Sequence, residues 1–139
     1  MNEAMSEPVY EGGCLCGAVR YRARGPVLSA PYCHCTICRR ASGAPVVAWG
    51  TFTAAGFAFT AGVPARYASS ATATRQFCPR CGSALTFQFH DRPEEIDVTL
   101  ATLDDPAAVA PTHHTFVADR LPWLRLADDL PRYPGFRSA

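Results

Sequence analysis

Apolar and polar residues alternate along this chain in short bursts of period two, with little that repeats at the spacing of a helix. Val19, Tyr21 and Ala23 are interleaved with Arg20, Arg22 and Arg24. That is the pattern of a strand with one buried face and one arginine face, and Gly25-Pro26 closes it. Residues 45–52 read PVVAWGTF, a second apolar, β-favouring run, and Phe57-Ala58-Phe59-Thr60 is a short strand set between glycines. Leu85, Phe87 and Phe89 alternate with Thr86, Gln88 and His90, and Ile96, Val98 and Leu100 alternate with Asp97, Thr99 and Ala101. Joined by the polar DRPEE, these two segments predict an antiparallel pair with one apolar and one wet face. Residues 112–117 predict another strand. Helix is confined to a turn or two over residues 36–42 and a turn over 104–109 after an acidic start. Residues 1–10 read as a loose leader, the tail PRYPGFRSA as irregular, and the alanine-rich stretch 65–74 as compositional bias.

Composition narrows the class. A chain of 139 residues is about one domain's worth, and 48% hydrophobic with 18% charged residues is the make-up of a folded globule. Twelve prolines and ten glycines disfavour a helical bundle. The expectation is a single domain over 1–139, with an ordered core over about residues 10–134, built of antiparallel β-sheet with short helical turns only. A net charge of +1 gives no bulk electrostatic case for nucleic acid or a membrane surface, and no apolar run approaches the ~18–20 residues of a span. The acidic, coreless opening MNEAMSEPVYEGG is not a secretory signal, which predicts a reducing, cytoplasmic setting. All 13 basic residues are arginine, which excludes lysine Schiff-base chemistry and a P-loop lysine.

Seven cysteines carry the strongest chemical signal. An odd number argues against an all-disulfide framework. They fall in three clusters: Cys14 and Cys16 in GGCLCG; Cys33, Cys35 and Cys38 in CHCTIC; Cys78 and Cys81 in CPRCG. A C-x-x-C-G turn aims backbone N–H groups at its sulfurs, and the glycine tolerates the positive φ such a turn needs. Structural zinc takes four protein ligands, and catalytic zinc takes three and keeps one position open. Three cysteines within six residues can surround one ion unaided, whereas each separated pair needs a partner pair. The expected division is therefore Cys14, Cys16, Cys78 and Cys81 on a structural zinc and Cys33, Cys35 and Cys38 on a second, open one. Joining Cys16 to Cys78 would close a long loop and offset much of the chain entropy of a small β domain. A disulfide or plain buried thiols for the pairs, and a second structural site completed by His34 or a remote histidine for the triplet, are the competing readings. Three thiolates on a divalent ion leave net negative charge and a weak Lewis acid. Such a centre suits exchange of a soft ligand such as a substrate thiolate better than hydroxide-driven hydrolysis. Arg39 and Arg40, directly after Cys38, are placed to screen the thiolates or grip a substrate carboxylate.

The succession GGCLCGAVRY, CHCTICRRASGAP, FCPRCGSAL and LPWLRLADDLPRYP resembles the glutathione-dependent formaldehyde-activating enzyme family, which includes the centromere protein V group. The resemblance spans nearly the whole chain. It implies a β-tent of packed antiparallel sheets and the same division of the seven cysteines between a structural and a catalytic zinc, two ions in all. It also implies S-(hydroxymethyl)glutathione formation from glutathione and formaldehyde, a carbon–sulfur lyase chemistry. The partners would then be a small thiol such as glutathione and an aldehyde, with the protein a monomer or homodimer. A proton donor for the new hydroxyl would be His34, inside the triplet, or His113 or His114. Ser42 and Trp49 could line the pocket, while Trp123 in LPWL reads as core. The carboxylates, Asp97 among them, sit at turn-like or alternating positions and read as a solvated face.

Neither P-C-x-x-C nor an upstream H-x-E occurs, which excludes a zinc deaminase, and H-E-x-x-H, G-x-S-x-G and Rossmann glycines are absent. Beside the zinc enzyme stand two other readings: a non-catalytic, zinc-stabilised module that binds a protein or peptide, and a thiol sensor whose triplet metal leaves under oxidant.

Overall fold

The computed structural model describes residues 7–137. Its framework starts from the arginine strand. In β2 (Arg20–Arg24) Tyr21 and Ala23 turn inward while Arg22 and Arg24 face solvent, as the alternation predicts. It is flanked by β1 (Val9–Gly13) and β5 (Phe57–Ala61), both antiparallel, to make a three-stranded sheet. The end of the expected loose leader is therefore strand β1; residues 1–6 of that leader lie outside the described residues.

A second sheet of seven strands runs in the order β10 (His113–Thr115), β3 (Pro31–Cys33), β4 (Val47–Thr53), β9 (Glu95–Thr99), β8 (Ala84–Phe89), β7 (Ala73–Phe77), β6 (Ala65–Ser70). The mainly β expectation holds. The pairs are antiparallel except β10 on β3, which is parallel, so the sheet is mixed. The core lies where the two sheets meet: Tyr21 and Ala23 from one, with Val19 just before it, pack with Phe52, Leu85, Ile96 and Val98 from the other. The buried Tyr21 hydroxyl is satisfied by Thr102 Oγ1 at 2.7 Å.

One sequence expectation fails in an informative way. Leu85, Phe87 and Phe89 do not share a face. The register between β7 and β8 shifts where Gln76 faces Thr86 but Phe77 faces Ala84. This bulge turns Leu85 into the core, where it is fully buried, and leaves Phe87 and Phe89 on the opposite side. Thr86 pairs with Val98 and Phe87 pairs with Asp97. The apolar set of β8 and the polar set of β9 therefore share the face away from the core.

The helix α1 occupies Thr36–Ser42, as expected, between Cys35 at its N-cap and Gly43 in the left-handed region at its C-terminus. A 3-10 turn at Pro106–Ala108 fills the short turn expected over 104–109. The alanine-rich stretch is largely the hairpin β6–β7, held by pairing to β8 despite alanine's weak strand preference. Trp123 is a correction: it is 67% exposed, on a segment running over the surface. The irregular tail is fastened to β10 by backbone bonds, Tyr133 N–H to His114 O and Phe116 N–H to Gly135 O, both 2.9 Å. Phe136 thereby reaches the ring of Phe116 at 4.8 Å. Among the described residues no helix is long and apolar enough to cross a membrane.

Candidate metal centres and active site

The two cysteine pairs come together from distant segments, with Cys16 and Cys78 separated by 62 positions in sequence. Each sits on a turn closed by a left-handed glycine: Gly17 at φ 82° donates its N–H to Cys14 O at 3.2 Å, and Gly82 at φ 81° donates to Cys78 O at 2.8 Å. These turns aim amides at sulfur. Val19 N–H meets Cys14 Sγ at 3.2 Å, and the N–H groups of Arg80 and Cys81 meet Cys78 Sγ at 3.3 and 3.4 Å. Ser83 Oγ lies 3.1 Å from Cys81 Sγ, and hydrogen bonds from the Ser83 side chain and backbone hold the Cys81 thiol down at about 5. All four sulfurs lie within 4.8 Å of one another. The contacts Cys14–Cys16 at 3.6 Å and Cys16–Cys78 at 3.8 Å are far beyond a covalent S–S bond, and all seven cysteines are free. A tetrahedron with bonds of about 2.3 Å sets its sulfurs about 3.8 Å apart. The four-sulfur set fits zinc, and its soft, amide-supported donors are the kind zinc takes.

The triplet forms where β3 runs into α1. Cys33 ends the strand, Cys35 caps the helix by accepting the Cys38 N–H at 3.2 Å, and Cys38 lies in the first turn. The three sulfurs are again within 4.8 Å of each other, with Cys33 and Cys38 at 3.6 Å. Contacts from the Cys33 and Cys35 thiols, with help from Arg75, hold Cys38 far below the ordinary thiol range. The Cys35 and Cys38 sulfurs, with burial, push Cys33 up. The cluster thus favours negative charge beside Cys38. Arg75 answers it: Nη2 donates to Cys38 Sγ at 3.5 Å, and the guanidinium lies 4.8 Å over the Phe87 ring and 5.9 Å from that of Trp49. This donor set, too, suits zinc, with three protein sulfurs in place of four.

All three triplet cysteines line a cavity of about 640 Å³ on the face of the large sheet away from the core. Trp49, Phe87, Phe89, Phe116 and Phe136 give it aromatic walls. Its charged residues are Arg75, Arg92, Arg137, Glu95 and Asp97. The register explains the arrangement. Thr51, Asp97, Phe87 and Arg75 are consecutive cross-strand partners on β4, β9, β8 and β7, so they form one row on one face. Thr51 Oγ1 donates to Asp97 Oδ1 at 2.5 Å. Burial, which outweighs that bond, pushes the Asp97 carboxyl up to about 6, with Glu95 and Cys38 adding to the shift. The solvated-face reading of Asp97 is thereby corrected: the row that carries it is a cavity wall.

The structure brings Cys14, Cys16, Cys78 and Cys81 together, and separately Cys33, Cys35 and Cys38, as the spacing predicts. His34 is 1% exposed and does not line the cavity; its Nε2 meets His114 Nδ1 at 2.9 Å, and His114 Nε2 meets Asp128 Oδ2 at 3.0 Å. Tyr32 stacks on His114 with centroids 4.8 Å apart. Of the late histidines it is His113 that faces the cavity. Arg39 and Arg40 stand in the last turn of α1 and are not among the lining residues, and Ser42 instead donates to Cys38 O at 2.8 Å. Trp49 does line it. Sequence reasoning passed over Arg75 and read Asp97 as part of a solvated face. The one available signal was the strand alternation around each, and its inward face could not be assigned without the bulge.

The family model described as glutathione-dependent formaldehyde-activating enzyme matches residues 9–119. A Halomonas elongata protein whose name carries the same description is 30% identical over 129 residues, covering 84% of this chain and 80% of its own. An uncharacterized lyase of Schizosaccharomyces pombe is 38% identical over 84 residues, covering 59% of each chain. A crystal structure of a Rhodobacter sphaeroides protein superposes with a TM-score of 0.58 at 29% identity, over 73% of this chain and 91% of that one.

Proposed function

The chain belongs to the glutathione-dependent formaldehyde-activating enzyme family, and on that footing we propose that its triplet cavity joins a small thiol to an aldehyde and cleaves the same carbon–sulfur bond in reverse. Glutathione and formaldehyde are the first pair to test, with S-(hydroxymethyl)glutathione as the product. The observation that carries this reading is the convergence of Cys33, Cys35 and Cys38 on one wall of a cavity large enough for a tripeptide segment and furnished with arginines.

In this reading Cys14, Cys16, Cys78 and Cys81 hold a structural zinc, and Cys33, Cys35 and Cys38 hold a second. Zinc at the triplet supplies a soft Lewis-acidic centre that favours a thiol in its thiolate form near neutral pH. The protein's own residues do the rest. Arg75 balances the negative charge of the sulfurs with a cation held in place by Phe87 and Trp49. Arg92 and Arg137 offer paired donors for the carboxylates of a peptide thiol at the cavity walls, the role first expected of Arg39 and Arg40. Phe89, Phe116 and Phe136 exclude water from the reacting atoms, which keeps the aldehyde from hydration. His34 is tied to His114 on the far side of β3, so in this reading it braces the Cys33–Cys35 segment and leaves proton transfer to a cavity group.

The test is the exchange of formaldehyde carbon between hydrate and S-hydroxymethyl adduct, followed by NMR at chemical equilibrium. The protein should raise the exchange rate in proportion to its concentration. A rate equal to that of the uncatalysed mixture rejects the activity.

A further inference from the structure

The reaction proposed above needs a group that moves one proton. Sulfur must lose it and the carbonyl oxygen must gain it. The cavity has two carboxylates, Glu95 and Asp97, both on β9 and both projecting from the same face. Their partners on β4 fix their order. Trp49, which shares one buried cluster with Cys33 and Cys38, pairs with Thr99; Thr51 pairs with Asp97; Thr53 pairs with Glu95. Asp97 is therefore one row from the strand residue that clusters with the triplet, and Glu95 is a further row away, about 7 Å along the strand. Across the sheet, Asp97 is two strand spacings from Arg75, about 10 Å, with only Phe87 between. The cation that touches Cys38 and the carboxylate therefore flank the same aromatic ring.

We propose that Asp97 is the catalytic acid–base of this site, taking the proton from the substrate thiol and returning it to the aldehyde oxygen. The inference rests on the thiol–aldehyde reading of the cavity. The carboxylate accepts the S–H proton; the sulfur pair forms the C–S bond; the carbonyl π pair moves to oxygen; the Asp97 carboxyl gives its proton to that oxygen. The carboxylate is regenerated and no other reactant is consumed. In reverse the same carboxylate takes the hydroxyl proton and the departing sulfur takes it back.

The surroundings suit that task. Thr51 orients the carboxyl by donating to Oδ1, which leaves Oδ2 for the proton. The charged and titratable groups facing Asp97 are Glu95 and Arg92 from its own strand and the preceding turn, Cys38 from α1, and Arg75 from β7. Burial, the largest cause, raises its pKa together with Glu95 and Cys38, while the Thr51 hydrogen bond and Arg92 lower it, to a balance of about 6, close to the working range of a base at neutral pH. The histidine first expected to do this, His34, is sealed between β3 and His114.

The experiment is the same exchange assay, run as a pH profile on wild type, Asp97→Asn and Thr51→Val, with metal content and thermal melting recorded for each. Wild type is read first: if it does not accelerate exchange, the thiol–aldehyde reading fails and this inference falls with it. If it does, kcat/KM for wild type should decline below about pH 6. Asp97→Asn should lower kcat about a hundredfold or more with little change in KM for the thiol, unchanged metal content and no acid limb. Thr51→Val removes a bond that favours the ionised carboxyl, so it should move the acid limb upward. An Asp97→Asn rate within threefold of wild type, an acid limb that persists in that variant, or an unmoved limb in Thr51→Val would overturn the assignment.

Discussion

Arg75 Nη2 donates to Cys38 Sγ at 3.5 Å while its Nε is buried without a partner, so this guanidinium is committed to the sulfur cluster from within an aromatic clamp. A charged, partly unsatisfied group is costly to bury unless a counter-charge rewards it. Cys38, whose thiol its neighbours hold far below the ordinary range, is that counter-charge.

Arg75→Met keeps an unbranched apolar stem but removes the guanidinium and its charge. Metal at the triplet should then pass to a competing chelator about tenfold faster, in line with the effect of groups that support metal ligands. Metal at the four-sulfur site should leave at the wild-type rate. Chromogenic-chelator kinetics resolve the two phases.

Removing a sulfur from each cluster separates their duties. Cys14→Ser or Cys81→Ser opens the clip between distant segments and should unfold the domain, because metal affinity there is folding free energy. Cys35→Ser should stay folded, lose activity and bind one zinc fewer. Circular-dichroism melting checks this, and equal damage from Cys35→Ser and Cys81→Ser would contradict the division.

Asp97→Asn should stabilise the protein at pH 8. The folded carboxyl titrates at about 6 against an ordinary 3.8, so ionising it in the folded state carries a penalty. That penalty is present in full above about pH 6, shrinks as pH falls through it and is gone below 3.8. With each pH unit worth about 1.4 kcal/mol, and water reaching part of the group, the gain at pH 8 is on the order of 1–2 kcal/mol. Urea unfolding of both proteins at pH 8 and pH 4 should show the gain at the first and little at the second.

His114→Phe preserves the stack on Tyr32 but leaves buried His34 without a partner for Nε2. It should cost about 1–3 kcal/mol in urea unfolding. Asp128→Asn, whose carboxylate is partly exposed, should cost less.

Much of this was legible in the sequence, for definite reasons. The spacing of the cysteines is a ligand geometry written locally, and Gly17 and Gly82 announce the left-handed turns beneath them. The arginine alternation gave β2 because one residue of slip would bury the charges. Arg75 and Asp97 were hidden because their meaning lies in cross-strand register, set by a bulge near Leu85 that no local pattern marks. Arg39 and Arg40 drew notice by adjacency in sequence, while the sheet brings Arg75 to the sulfur from 37 residues away. Trp123 was misplaced because an apolar LPWL looks the same on a surface as in a core.

Native mass spectrometry of the intact protein, with and without glutathione, addresses the claim that four sulfurs fasten the fold and three serve the cavity. Wild type should carry two zinc ions and gain the mass of one glutathione, whereas Cys35→Ser should carry one zinc and gain none. A single zinc in wild type, or glutathione retained equally by Cys35→Ser, would contradict it.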